Sequence, residues 1–219
     1  AVHYARTSKT AREIGSALGV AYTVEGTVRW DPDPGGTSKV RITPQLIRVS
    51  DDTHLWSEPY DRVMQDIFEI QSDIAKKVVE HLGLTLLRAE HPAVERRPTD
   101  DLEAYQAYLR AEYFAGQPHF VAQYWEEAAQ NYQRAVELDP DFALAHAKLS
   151  IAHARLYYYR HDLSEERRNK AGAAIDRAVE LEPDNPEIRL ALGYFHLLIE
   201  RDVKAAFREF DRAAKDLPD

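Results

Sequence analysis

One spacing constrains this chain more than any other: Ala, three residues, a large apolar residue, two residues, Ala, four residues, Pro. It occurs at Ala128, Tyr132, Ala135 and Pro140, at Ala171, Ile175, Ala178 and Pro183, and at Ala206, Phe210, Ala213 and Pro218. Alanines three and four residues from a larger apolar group share one helical face, so each stretch predicts a helix that approaches a neighbour closely through its alanines. The proline then ends the helix and opens a turn. A chain that does this three times is expected to build three helical hairpins, none of which buries its apolar face without the next.

The helices that precede these stretches agree. Leu149-Ser150 with His153, and Leu192-Gly193 with His196, repeat one phrase, and Ala111 with Phe114 is a weaker copy. The arrangement resembles the tetratricopeptide repeat (TPR), whose basic period is about 34 residues. Here the prolines are 43 and 35 residues apart. The excess is expected in insertions near 116–121 and 157–164. Ser164 then stands where a helix N-cap belongs, with Glu165 and Glu166 in the first turn of a helix running to about Glu182. The resemblance implies three repeats, at about 101–140, 141–183 and 184–219, stacked into a superhelix whose concave groove binds a protein or peptide. By periodicity the groove candidates are Tyr105, Tyr108 and Glu112, then Leu144, Ala147 and Ile151, then Leu190, Tyr194 and Leu197. Tyrosine suits such a surface, because its ring packs while its hydroxyl stays available. The charged pattern by which some TPR proteins clamp a terminal carboxylate is absent.

The first part of the chain has a different period. Ile14, Ala17 and Leu18 lie at helical spacing over residues 10–18, and Gly19 supplies a stop. From Tyr22 the alternation becomes twofold: Tyr22, Val24, Gly26 and Val28 predict one strand, Val40, Ile42 and Leu46 a second, and His54, Trp56 and Tyr60 one face of a third. Turns are expected at 31–36 and 50–52. The second hairpin should pair residues summing to about 103, which sets Pro44 opposite Pro59 in a weakened ladder. Ile67, Ile70, Ile74, Val78 and Leu82 then mark a long helix over one face of the sheet. The runs LGVAYTVEGTVRW, VRITPQLIRV, THLWSEPYDR and DIFEIQSDIAKKVVEHL resemble, in order, the TolB amino-terminal-like domain found beside repeats in bacterial signalling proteins. Pro44 and Pro59 depart from the family's pattern. The fold expected is thus an α+β amino-terminal domain, an antiparallel meander packed with helices over residues 1–87, then a linker at 88–100, then an all-α TPR superhelix. The family places a strand and a helix before the point where this chain starts, so the sheet is expected to be incomplete, and the missing output domain implied is a nucleotide cyclase, a Ser/Thr kinase or a winged-helix regulator.

Charge and composition narrow the function. Residues 1–97 carry 13 Lys/Arg against 14 Asp/Glu and residues 98–219 carry 15 against 23, so neither half has the basic surplus that phosphate neutralisation asks for. Nucleic acid is not expected as a partner. No run of 18 uninterrupted apolar residues occurs, so membrane insertion is not expected either. The absence of cysteine excludes disulfides and thiolate chemistry and leaves the compartment open, cytoplasm ahead of periplasm. The chain opens without Met and reads as an internal piece. His146, His153 and His161 fall on framework positions instead of converging as metal ligands do. Gly35 to Lys39 lacks phosphate-loop spacing, and the helix at 10–18 leads into a strand instead of a DNA-reading helix. Acids and histidines are scattered without a catalytic constellation, so neither enzyme activity nor a cofactor is expected. The expected role is a protein-binding regulatory module. An assembly role through homo-oligomers and a small-molecule sensor in the first half stand beside it. The open sheet edge and an uncapped last helix also lead us to expect a homodimer, and a longer protein that continues with more repeats.

Overall fold

The computed structural model describes residues 9–31, 39–63, 67–83, 97–118 and 120–216. The turn expected at 31–36, most of the linker at 88–100 and Pro218 lie outside them. The chain forms two compact units, one ending at Arg97 and one beginning at Pro98.

The first unit opens with α1 (Ala11–Leu18). Thr10 caps it reciprocally: its hydroxyl accepts from the Glu13 amide at 3.2 Å, and its own amide donates to the Glu13 carboxylate at 2.8 Å. Gly19 ends the helix in the left-handed region at φ 70°, which a residue with a Cβ enters at a cost. The buried face is not the expected one. Ala17 and Leu18 are exposed, and Ala11 and Gly15 are buried. A Cβ on Gly15 would lie 2.2 Å from a methyl carbon of Val49, so close packing against the end of the second strand selects the small residues.

The sheet is antiparallel, with β1 (Tyr22–Asp31), β2 (Lys39–Arg48), β3 (Thr53–Ser57) and β4 (Tyr60–Val63). β2 is central, paired to β1 on one side and to both β3 and β4 on the other. The third strand of the expected meander is therefore two strands, and its register corrects the sequence reading. Gln45 pairs with Ser57 and Ile42 with Tyr60, so Pro59 lies across from Thr43, not Pro44. An extra residue, Leu55, bulges between Trp56, opposite Leu46, and His54, opposite Ile47. The bulge inverts the alternation, and His54 is exposed while Trp56 and Tyr60 are buried. Neither Pro44 nor Pro59 takes part in the β2–β3 or β2–β4 ladder, which suits residues without an amide donor.

α2 (Ile67–His81) covers β2, β3 and β4. Ile70, Ile74, Val78 and Leu82 pack with Val40, Leu46, Trp56 and Tyr60, as the helical spacing predicts. The Tyr60 hydroxyl donates to Asp73 of α2 at 2.5 Å, and burial followed by that carboxylate raises its pKa well above the usual tyrosine value.

The second unit is helical: α3 (Leu102–Ala115), α4 (Ala122–Leu138), α5 (Ala143–Tyr158), α6 (Glu165–Leu181), α7 (Pro186–Phe195) and α8 (Val203–Asp216). Each pairs with the next in chain order, and α5 also packs against α7, skipping one helix. Ala128, Tyr132 and Ala135, Ala171, Ile175 and Ala178, and Ala206 and Ala213 are all buried, while Phe210 is half-buried. The recurring spacing is thus the packing face of α4, α6 and α8. Ser164 caps α6, its hydroxyl accepting from the Arg167 amide at 3.1 Å. α7 departs from α-helical geometry at its end, where His196–Glu200 form a π-helical turn before Arg201 turns back at φ 62°.

Candidate functional site

The candidate site is built on α3, α5 and α7, the first helix of each hairpin. Small residues bring these helices against their partners. Ala111 is fully buried, the buried Ser150 donates to the Ala171 carbonyl at 2.8 Å, and a Cβ on Gly193 would lie 2.4 Å from the Phe210 ring.

The nine groove candidates fall into distinct environments. Tyr105 and Tyr108 are buried and stacked with ring centroids 6.3 Å apart, and Tyr108 also touches the rings of Tyr132 and Phe142. Their rings serve the core of the first hairpin more than any surface. Glu112 is half-buried and accepts a hydrogen bond from the Tyr132 hydroxyl. Burial, with the neighbouring Glu112 carboxylate second, pushes the Tyr108 and Tyr132 hydroxyls far above their ordinary pKa, so both stay protonated. Ala147 is fully buried and offers no surface. Leu144, Ile151, Leu190, Tyr194 and Leu197 are half-buried. Ile151 packs on the core shared by α5, α6 and α7, and Tyr194 and Leu197 on the one around Leu198 and Ile199.

Two further features escape sequence reasoning. The Lys148 ammonium of α5 lies 3.8 Å from Glu112 of α3 and 3.9 Å from Glu187 of α7, so a single lysine links the first helices of all three hairpins. Lys148 follows the buried Ala147 and so lies one step off the apolar stripe that marks the groove candidates. The Arg155 guanidinium sits 5.9 Å from the Trp125 ring centroid and 5.2 Å from that of Tyr194, again joining three hairpins. The pairing of a lone tryptophan with an arginine thirty residues later carries no local signal.

The histidines separate. The His146 ring contacts the Pro140 carbonyl at 3.0 Å and the His161 ring lies by Tyr159. His153 is buried, with its Nδ1 3.1 Å from the Arg167 guanidinium, and burial, helped by Arg167, holds its pKa down at about 4. Arg167 also pairs with Asp162 and Glu126, each at 2.8 Å, which ties α6 to α4. Among the described residues no group of three His, Asp or Glu converges as metal ligands would. No helix among them is long and apolar enough to cross a membrane. In the first unit an open hollow of about 480 Å³ lies between the end of α1 and the start of β1, with Ser16, Tyr22, Arg48 and Ser50 on its walls.

Comparison with known proteins finds two likenesses. Residues 122–156, from the start of α4 into α5, match the TPR repeat family. That stretch of the helical unit thus carries TPR repeat sequence, and TPR repeats generally mediate protein–protein interaction. Over 140 residues, 64% of the chain, it is 36% identical to a protein of Rhizobium meliloti (strain 1021) named "Putative adenylate cyclase 3". The chain spans 23% of that protein's length.

Proposed function

We propose that this chain is a non-catalytic regulatory module of a bacterial signalling protein, and that its helical half binds a polypeptide along the faces of α3, α5 and α7. The observation that carries this reading is the charged ladder Glu112–Lys148–Glu187, which crosses all three first helices and is flanked by the half-buried Leu144, Ile151, Leu190 and Tyr194. A strip of alternating charge bordered by apolar side chains offers an extended peptide both register and adhesion. Three TPR hairpins at about 101–140, 141–183 and 184–219 would supply the superhelix and its groove. The first half, residues 1–87, is read as part of a TolB amino-terminal-like domain, supported by its phrase order, by the antiparallel sheet and by the helix over it. The relative named as an adenylate cyclase favours a nucleotide cyclase as the output to which this pair of domains is coupled.

The test is selection of peptides on the purified chain, followed by affinity measurements with Lys148→Glu and Tyr194→Ala. Each should weaken the selected peptide about tenfold while helicity is retained. Peptides that bind both variants as well as the parent, or that bind residues 1–97 alone, would sink the groove. The hollow beside α1, apolar at Val49 and ringed by Ser16, Arg48 and Ser50, keeps a small-molecule sensor as the second reading. Thermal-shift screening with Arg48→Ala as control separates the two.

A further inference from the structure

β1 is ten residues long and is paired on one side only, with β2; among the described residues no strand meets its other edge. Natural sheets protect such edges with lysine, proline or a bulge, and β1 has none of these. The ladder to β2 is regular from Tyr22 to Asp31, and Gly26 crosses Pro44 so closely that a Cβ there would lie 2.8 Å from the Thr43 carbonyl oxygen. The strand is therefore unbroken along its open side.

Its side chains are also exposed. Tyr22, Val24 and Val28 are opposite Arg48, Leu46 and Ile42, so they share the face that α2 covers further along the sheet. They are nonetheless 41%, 53% and 65% exposed. On the other face Glu25 and Arg29 are exposed. Arg29 stands directly opposite Arg41, whose charge is already taken by Asp61 at 2.5 and 2.8 Å. Like charges in opposed positions are unfavourable, so Arg29 gains from any acid brought to its free side.

The sequence of β1 supplies that acid itself. When two identical strands pair antiparallel about a twofold axis perpendicular to the sheet, some residue must face its own copy. Glu25 or Arg29 on the axis would oppose like charges. Gly26 on the axis would set Glu25 against Thr27. Thr27 on the axis sets Glu25 against Arg29 twice and Val28 against Gly26 twice.

We propose that two copies of this chain associate through β1, antiparallel about a twofold axis at Thr27, with Glu25 of each copy facing Arg29 of the other. The sheet becomes continuous across the dimer, and because the axis is perpendicular to it both copies of α2 lie on the same side. Val24 and Val28 of the two copies then form one apolar floor between those helices. The main-chain bonds supply adhesion, and the charge pairs set the register.

Sedimentation equilibrium of the 219-residue chain across the micromolar range should show a monomer–dimer equilibrium that weakens with salt. Glu25→Arg and Arg29→Glu should each raise the dissociation constant about tenfold, since each replaces two attractions by two repulsions. The double variant Glu25→Arg with Arg29→Glu should return close to the parent. Circular dichroism checks that each variant is folded. The Val49 amide donates to the Ala21 carbonyl, so the amides of Glu25 and Thr27 face β2 and those of the alternate residues face the open edge. The Gly26 and Val28 amides should therefore exchange more slowly as concentration rises. A monomer at all concentrations overturns the dimer. Single variants that associate like the parent, or a double variant that is not rescued, overturn the pairing. Gly26 and Val28 amides already protected in the dilute monomer show the edge covered within the chain, which also overturns it.

Discussion

At the scale of single residues, two glycines of the helical unit invite opposite expectations. A Cβ on Gly193 would enter the Phe210 ring at 2.4 Å, so Gly193→Ala should force α7 and α8 apart and cost about 1–3 kcal/mol in a urea melt. A Cβ on Gly172, in the middle of α6, would meet Phe195 at an ordinary 3.7 Å. Gly172→Ala should therefore stabilise by about 0.5–1 kcal/mol, since alanine costs less helix entropy than glycine. His153 gives a pH dependence with a definite sign. Its pKa is about 4 in the folded chain against an ordinary 6.5, because burial, Arg167 and Lys170 oppose its charge more than Asp162 favours it. Between those values the unfolded chain binds the proton and the folded chain does not. Stability is thus fully present above pH 6.5 and falls as pH drops toward 4, by at most about 3 kcal/mol. His153→Gln should flatten that part of the profile in denaturant titrations at a series of pH values. An unchanged slope would place the titration elsewhere.

At the scale of elements, helix ends and repeat faces are legible in the sequence, whereas strand detail is not. Thr10, Gly19 and Ser164 act through hydrogen bonds within a few residues, so local sequence suffices to find them. Ser164→Ala should cost about 1 kcal/mol of helical-unit stability by thermal melting, because the Arg167 amide loses its acceptor. The alanines of α4, α6 and α8 are legible because their spacing recurs, and recurrence separates a packing face from a chance stripe. The buried face of α1 differs from its apolar pattern, since the demand for Gly15 comes from Val49, far along the chain. The register of the third strand escapes because the turn sits earlier than expected, with Arg48 opposite Thr53, and the bulged Leu55 then makes up only part of the difference; nothing local marks either. The π-helical turn at 196–200 is equally silent, because Leu197, Leu198 and Ile199 read as an ordinary helical run. Of the site, the apolar members follow from period alone. Lys148, Glu187, Arg155 and Trp125 draw their meaning from partners on other hairpins and become visible only in three dimensions.

At the scale of the whole molecule, the division into two compact units predicts two separable unfolding events. Residues 98–219 expressed alone should keep a cooperative melt, recorded by circular dichroism, within a few degrees of the corresponding transition of the full chain; a loss of cooperativity would show that the first unit props up the second. The placement of tryptophan makes this easy to follow optically. The chain has three, and Trp30 and Trp56 belong to the sheet unit, which leaves Trp125 as the sole indole emitter of the helical one. It is buried beneath the Arg155 guanidinium, which is itself stacked on Tyr194 of the third hairpin. An occupant that shifts α5 relative to α4 lifts that cation from the ring, altering the polarity around the indole and hence its emission colour and quantum yield. The helical half thus carries an intrinsic fluorophore wired to its own spacing, and a label-free titration at the red edge of absorption would read occupancy without a dye or a tag, whatever the chemistry of the occupant.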